Sequence, residues 1–202
     1  MITIIDYGMG NTGSILNMLR KLGVTASVTN NLGEIRKAKK IILPGVGAFD
    51  NAMSAINQSG LREVLDEKAL NDQIPILGIC LGMQLLTLSS QEGEMEGLGW
   101  INAQTLKFKF DNIKMKIPHM GWNYVQINNP NELTRDLPEN PKFYFVHSYY
   151  VNVENQSHSI LKSEYGIKFD SAVCHKNIYG AQFHPEKSHK YGMKILENFA
   201  NV

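Results

Sequence analysis

The sequence predicts an α/β fold: a mostly parallel, doubly wound sheet flanked by helices, with a β-rich C-terminal half contributing to the same core. Three observations carry this expectation. Short apolar strand-like runs alternate with segments of helical period as far as Gly99, the pattern of parallel strands joined by crossover helices. One of those runs, Ile74 to Ile79, passes through Gly78-Ile79-Cys80-Leu81-Gly82 straight into a helical segment. Beyond Gly99 the alternation stops, and strand-like segments separated by short turns take over.

Each element has a local reason. Ile2 to Asp6 is apolar and β-branched, a strand. Ser14 to Leu22 places Ile15, Met18, Leu19 and Leu22 on one helical face, and Gly23 stops it. Thr25 to Thr29 and Lys40 to Leu43 read as strands, and Gly60 splits helices at Phe49 to Ile56 and Leu61 to Leu70. The elbow strand and a helix from Leu81 follow. Strands are then expected at Ile101 to Phe110, Lys116 to Ile127, Phe143 to Val153, Ser159 to Glu164, Ile167 to Cys174 and Tyr179 to Phe183. His189 to Phe199 closes the chain as an amphipathic helix.

At 202 residues the chain reads as one domain spanning 1–202, long enough to bury a substantial core. A formal net charge of +1 gives no electrostatic reason to expect nucleic acid or an anionic membrane as partner. No apolar run approaches a membrane span, and Met1 leads into a strand-like segment without the basic and apolar regions of a secretory signal. Cys80 and Cys174 are too few for a disulfide framework, so a reducing cytoplasm is the expected location. No His/Cys cluster has zinc spacing, and neither a metal nor a cofactor is expected.

Cys80 has the G-x-nucleophile-x-G spacing of a strand-to-helix elbow, with cysteine as the nucleophile. Such a turn is tight enough to require glycine on either side. It also sets the sulfur at a helix N-terminus, where thiolate is favoured over thiol. The competing reading is a buried cysteine between packing glycines. A thiolate needs a base, and the base an orienting group. Among six histidines, His158, His175 and His189 stand in polar, turn-like surroundings, and His119 and His147 in aromatic strands where a packed ring is expected. His184 differs, because in His184-Pro185-Glu186 the imidazole and carboxylate fall on one face of an extended chain. Glu186 would then hold the ring in one tautomer. The rival here is a strand-end turn with a surface ion pair. For an oxyanion, the Leu81 N–H follows the nucleophile, and Gly45-Val46-Gly47 after the third strand can supply a second donor at the same sheet edge.

Gly8-Met9-Gly10-Asn11-Thr12-Gly13 is a literal G-x-G-x-x-G between strand and helix, which makes a dinucleotide-binding oxidoreductase a rival. Against it, the second strand ends Val28-Thr29-Asn30-Asn31 without the acid that would bind a ribose, and the elbow would have no purpose.

Pro44-Gly45-Val46-Gly47, Leu77 to Gln84 and His184-Pro185-Glu186-Lys187 resemble the motifs of class I, triad-type glutamine amidotransferases. Pro118-His119-Met120-Gly121-Trp122-Asn123 and Phe145 to Tyr150 are similar to those of the glutaminase subunits of imidazole glycerol phosphate synthases and their close paralogues. The resemblance covers Ile5 to Phe199. It implies hydrolysis of L-glutamine to glutamate and ammonia through a thioester on Cys80, with His184 as base then acid and Glu186 as its orienter. Gln84, Glu92, Ser148 and Tyr149 match positions that hold glutamine, and Gly45, Val46 and Gly47 match the mobile oxyanion strand. Met120, Trp122, Asn123, Tyr144 and Lys187 match the face that meets a synthase partner, a barrel-like cyclase subunit that forms a heterodimer and consumes the ammonia in histidine biosynthesis. Trp122 and Tyr144 also suit an interface as aromatic anchors, or a core under strands. Gly13-Ser14-Ile15 and Gly97-Leu98-Gly99-Trp100 look instead like a paralogous branch that supplies ammonia to an ATP-dependent sugar amidotransferase in surface-polysaccharide biosynthesis. The intact Pro118 to Asn123 motif puts the histidine pathway ahead.

Overall fold

A computed structural model describes residues 1–110 and 115–202. The first half runs β1 (Ile2–Ile5), α1 (Thr12–Lys21), β2 (Ala26–Thr29), α2 (Leu32–Arg36), β3 (Ile41–Gly45), α3 (Phe49–Gln58), α4 (Leu61–Asp66), β4 (Ile76–Cys80) and α5 (Leu81–Leu85). The second half adds β5 (Ser89–Ser90), β6 (Ala103–Lys107), β7 (His119–Tyr124), β8 (Gln126–Ile127), β9 (Lys142–His147), β10 (Tyr149–Val153), β11 (Ser159–Tyr165), β12 (Ile167–His175), β13 (Ile178–Ala181) and α6 (His189–Asn201).

The α/β architecture expected from the sequence is the one observed. β2, β1, β3 and β4 lie side by side and parallel, and β13, although last in the chain, joins them parallel to β4. From β13 the same sheet continues antiparallel through β12, β10 and β6, so both halves share one sheet. β7 and β9 form a separate antiparallel ribbon. Apolar side chains fill both faces of the sheet. Ile41, Leu43 and Ile76 pack under α3 and α4 with Phe49, Met53 and Leu65. Ile42, Leu77 and Ile79 point the other way, to Ile15 and Leu19 of α1 and Ile195, Leu196 and Phe199 of α6. Alternation along each strand is thus read by a different helix layer, as a doubly wound sheet requires.

Several expected boundaries move. Phe143 to Val153 is two strands in two sheets, broken at Ser148. Phe143, Phe145 and His147 are buried before the break, and Val151 and Val153 after it, so the period of two continues across the bend and hides it. Lys116 to Ile127 likewise divides into β7, paired with β9, and β8, paired with β11. The unexpected α2 is capped by Asn31, whose side chain accepts from Glu34 N at 3.1 Å. The helix after Gly60 ends as a wider π-type turn, Glu67–Asn71. No helix among the described residues is long and apolar enough to cross a membrane.

Candidate active site

β4 ends on Cys80, whose backbone sits at φ 55°, ψ −112°, a region that non-glycine residues rarely adopt. Its glycine neighbours are sterically required. A Cβ at Gly78 would lie 2.5 Å from Gly82 O, and one at Gly82 would run into the Leu43 carbonyl. α5 can therefore rest directly on β3 and β4. α5 is only five residues long, so its dipole is a smaller source of positive charge than the sequence suggests. The cation beside the sulfur comes from elsewhere.

β13 supplies it. Ala181 is in register with Ile79, so the chain leaving β13 runs alongside the elbow and carries Gln182 and His184 to it. His184 Nδ1 and Glu186 Oε1 are 2.8 Å apart and both side chains are almost fully buried. The turn is fastened on three sides: His184 N donates to Tyr144 O, Ser188 Oγ donates to His184 O, and Tyr144 N donates to Ser188 Oγ. Burial disfavours the charged imidazole, but Cys80 and Glu186 outweigh it and raise its pKa to about 10. Nε2 makes no hydrogen bond of ordinary geometry among the described residues. The sulfur is nonetheless near enough to be the strongest of the groups favouring imidazolium. His184 thus shares one cavity with the Cys80 sulfur and is held from behind by the Glu186 carboxylate, the arrangement that a sulfur nucleophile, its base and an orienting acid require.

A cavity of about 330 Å³ opens above the sulfur, within the size range of small-molecule sites. Val46, Gly47, Cys80, Leu81, Gln84, Glu92, Ser148, Tyr149, His184 and Lys187, all singled out from the sequence, line it. Gly45 lies behind, paired with Cys80 in the sheet and packed so closely on Leu81, Gly82 and Tyr7 that it admits no side chain. Glu92 Oε2 accepts from Phe49 N at 2.9 Å, which ties one pocket wall to the helix following the Gly45–Gly47 loop. The Glu92 charge also adds to burial in raising the Tyr149 pKa. Met120, Trp122 and Tyr124 project from the outer face of the β7–β9 ribbon at 62%, 43% and 61% exposure. Trp122 lies edge-on to Tyr144, and the Lys187 ammonium sits over the Tyr144 ring. Lys187 therefore belongs to the pocket rim as well as to this face. Asn123 points the other way: its amide donates to Glu164 O at 2.9 Å and meets His119 inside.

Sequence reasoning missed several contributors. The Gln182 amide nitrogen points at Cys80 Sγ from 3.8 Å, and Val146 O lies 4.0 Å from the same sulfur. The Tyr7 hydroxyl donates to Pro44 O at 2.8 Å and braces the strand that enters the loop. Its phenol pKa is raised by burial, then by Cys80. Gln182 stands two residues before His184, a usable signal, but nothing local marks Tyr7. His119 and His147 are buried as expected, yet His147 also lines the pocket. His158 and His175, expected to be solvated, hydrogen-bond each other at 3.0 Å. Cys174 lines no part of this pocket, and burial pushes its thiol up to about 11. The glycine-rich first turn packs on the site: a Cβ at Gly10 would strike the Pro44 ring at 2.9 Å. Close packing on the loop strand thus accounts for that glycine without a dinucleotide.

The model of the family described as glutamine amidotransferase class-I matches residues 3–202. The chain is 57% identical over 199 residues to imidazole glycerol phosphate synthase subunit HisH 2 of Methanococcus maripaludis, covering 98% of each chain. It is 45% identical to the protein of the same name from Pseudomonas aeruginosa, covering all of both. Among solved structures, PurLQS from Thermotoga maritima aligns with 99% of this chain and 97% of its own at a TM-score of 0.75 and 19% identity, a likeness of fold. With a family match over residues 3–202 and a relative 57% identical along nearly its whole length, the chain belongs to the class-I glutamine amidotransferases.

Proposed function

We propose that the chain is a glutaminase subunit that hydrolyses L-glutamine and passes the ammonia to a synthase partner, the cyclase subunit of an imidazole glycerol phosphate synthase. The observation that carries this reading is the strained Cys80 elbow sharing one cavity with His184, whose ring is held by Glu186. The Cys80 thiolate attacks the side-chain amide carbon of glutamine. The oxyanion that develops is met by Leu81 N–H, with a second donor from the Gly45–Gly47 loop. His184 gives its proton to the departing nitrogen, releasing ammonia and leaving a glutamyl thioester. It then takes a proton from the incoming water, and collapse of the second tetrahedral intermediate returns the thiolate and frees glutamate. Glu186 keeps the ring in one orientation and favours imidazolium. Gln84, Glu92, Ser148 and Tyr149 hold the substrate. The relatives' names support this partner, and so does the exposed Met120–Trp122–Tyr124 face beside the pocket rim, whose aromatic residues suit interface anchors.

Cys80→Ser is expected to abolish glutamate release, alone and with the cyclase, while circular dichroism stays that of the parent. Full activity in the variant would overturn the reading. A second acceptor, a sugar aminated by an ATP-dependent enzyme, uses the same site. The resemblance of Gly13-Ser14-Ile15 and Gly97-Leu98-Gly99-Trp100 to the paralogous branch keeps it in view. Co-purification of a cyclase barrel or of an ATP-binding enzyme from the source cell separates the two.

A further inference from the structure

His119 and His147 stand opposite each other across the β7–β9 ribbon, buried, and the triad has no use for them. Their hydrogen-bond roles follow without ambiguity. The Tyr149 carbonyl can only accept, so His147 Nδ1, 2.7 Å away, carries the proton. A neutral His147 then presents a bare Nε2, and His119 Nδ1 donates to it from 2.9 Å. His119 Nε2 is bare in turn and accepts from Asn123 Nδ2 at 3.3 Å. The Asn123 amide is oriented at both ends, because Nδ2 also donates to Glu164 O and Oδ1 accepts from Tyr124 N at 2.8 Å. Neutrality of both rings agrees with their burial, which lowers His119 to about 4 and, outweighing the hydrogen bond to the Tyr149 carbonyl, lowers His147 to about 3, with the nearby His184 imidazolium acting in the same direction as burial. The His119 ring is clamped between Phe145 and Tyr165, with centroids 4.8 and 4.1 Å away.

At its far end the chain of donors reaches the chemistry. The Tyr149 carbonyl also accepts from Gln84 Nε2 at 3.1 Å. Gln84 Nε2 donates as well to Gln182 Oε1 at 3.2 Å, which turns the Gln182 Nε2 toward the Cys80 sulfur. We propose that His119 and His147 are positioning residues: a one-directional relay of N–H donors, from Asn123 in the ribbon to the Tyr149 carbonyl, that holds Gln84 and Gln182 in place beside Cys80. The proposal rests on the glutaminase reading for its kinetic consequence, though not for the proton positions. Loss of the His147 donor removes one of the two side-chain hydrogen bonds that fix the Tyr149 carbonyl, and the two glutamine amides then lose their common reference point.

Two measurements test it. Proton–nitrogen correlation spectra of the full chain with isotope-labelled histidine, at neutral pH, should show the Nδ1–H tautomer at both rings. His119→Asn and His147→Asn identify the signals. An Nε2–H tautomer or an imidazolium at either position overturns the relay. In glutamine hydrolysis, His147→Asn retains an N–H where Nδ1–H stood, and His147→Leu offers none. His147→Leu should lower kcat/KM about tenfold, chiefly through KM, with His147→Asn within about threefold of the parent. Equal values for the two variants overturn it. The spectra require no turnover, so a chain inactive on glutamine would count against the glutaminase reading while the tautomers still decide the relay.

Discussion

Adding one methyl group at Gly78 should disable the site from within the sheet. In Gly78→Ala the new Cβ would lie 2.5 Å from Gly82 O, 2.7 Å from Gly82 C and 2.8 Å from Met83 N. All three are backbone atoms of α5, so no side chain can swing aside. Carbon–carbon contact is comfortable at about 3.5–4.0 Å, so α5 must retreat by about 1 Å. β4 cannot yield instead, because it is fully buried and paired on both sides, with β3 and with β13. The retreat begins at Leu81, whose N–H is the proposed oxyanion donor, and pulls on Cys80 directly before it. A misplacement of about 1 Å costs roughly a hundredfold in rate, and overpacking costs about 1–3 kcal/mol. Glutamate release and thermal unfolding, measured on one preparation, give both quantities. The matched control is Gly13→Ala in α1, where a Cβ meets nothing within 4 Å. It should leave kcat unchanged and stabilise by about 0.4–1 kcal/mol. Parent-like kcat and Tm in Gly78→Ala would refute the argument that close packing of α5 on β4 sets the nucleophile.

Glu186→Gln keeps size but loses the charge on the imidazolium and can offer His184 Nδ1 an N–H, which favours the wrong tautomer. Single-turnover kcat should fall roughly a thousandfold or more, and a loss under about tenfold would contradict the triad. The same pair predicts a pH dependence. His184 is raised from 6.5 to about 10, so its contribution to stability is complete below 6.5 and lost as pH rises through about 10. Thermal scans should show that loss beginning at lower pH in Glu186→Gln, and an unchanged profile would count against the coupling. Tyr7→Phe removes the hydroxyl from Pro44 O. It should cost about 0.5–1.5 kcal/mol in unfolding free energy and lower kcat severalfold, and no change in either would dismiss Tyr7 as a brace of the loop.

The parts of this molecule that were legible beforehand are those whose reason lies within a few residues of chain. Gly78, Cys80 and Gly82 announce the elbow because its geometry is local, and His184 and Glu186 announce their pairing by their spacing, although Pro185–Lys187 winds into a 3-10 turn instead of the extended chain that the spacing predicts. The alternation of strands and helices up to Gly99 announces a parallel sheet for the same kind of reason. The bend at Ser148 is hidden because the buried positions keep the same parity on either side of it, and Asn123, which the resemblance matches to the partner face, turns its side chain inward to Glu164 O and His119.

Local spacing therefore defined the reacting groups and the class of fold. It did not define which strand would lie beside β4, and that choice brings His184 to the sulfur. β13 is added more than ninety residues after the elbow strand by backbone hydrogen bonds that carry no residue signature, with Ala181 opposite Ile79. The same holds for Tyr7, Gln182 and the His119–His147 pair. Their roles come from hydrogen bonds between distant segments, and each such bond depends on how the whole sheet and ribbon pack. Chemistry that resides in a motif is written in neighbouring side chains, whereas the surroundings that hold the motif to a fraction of an ångström exist only once the chain has closed around it.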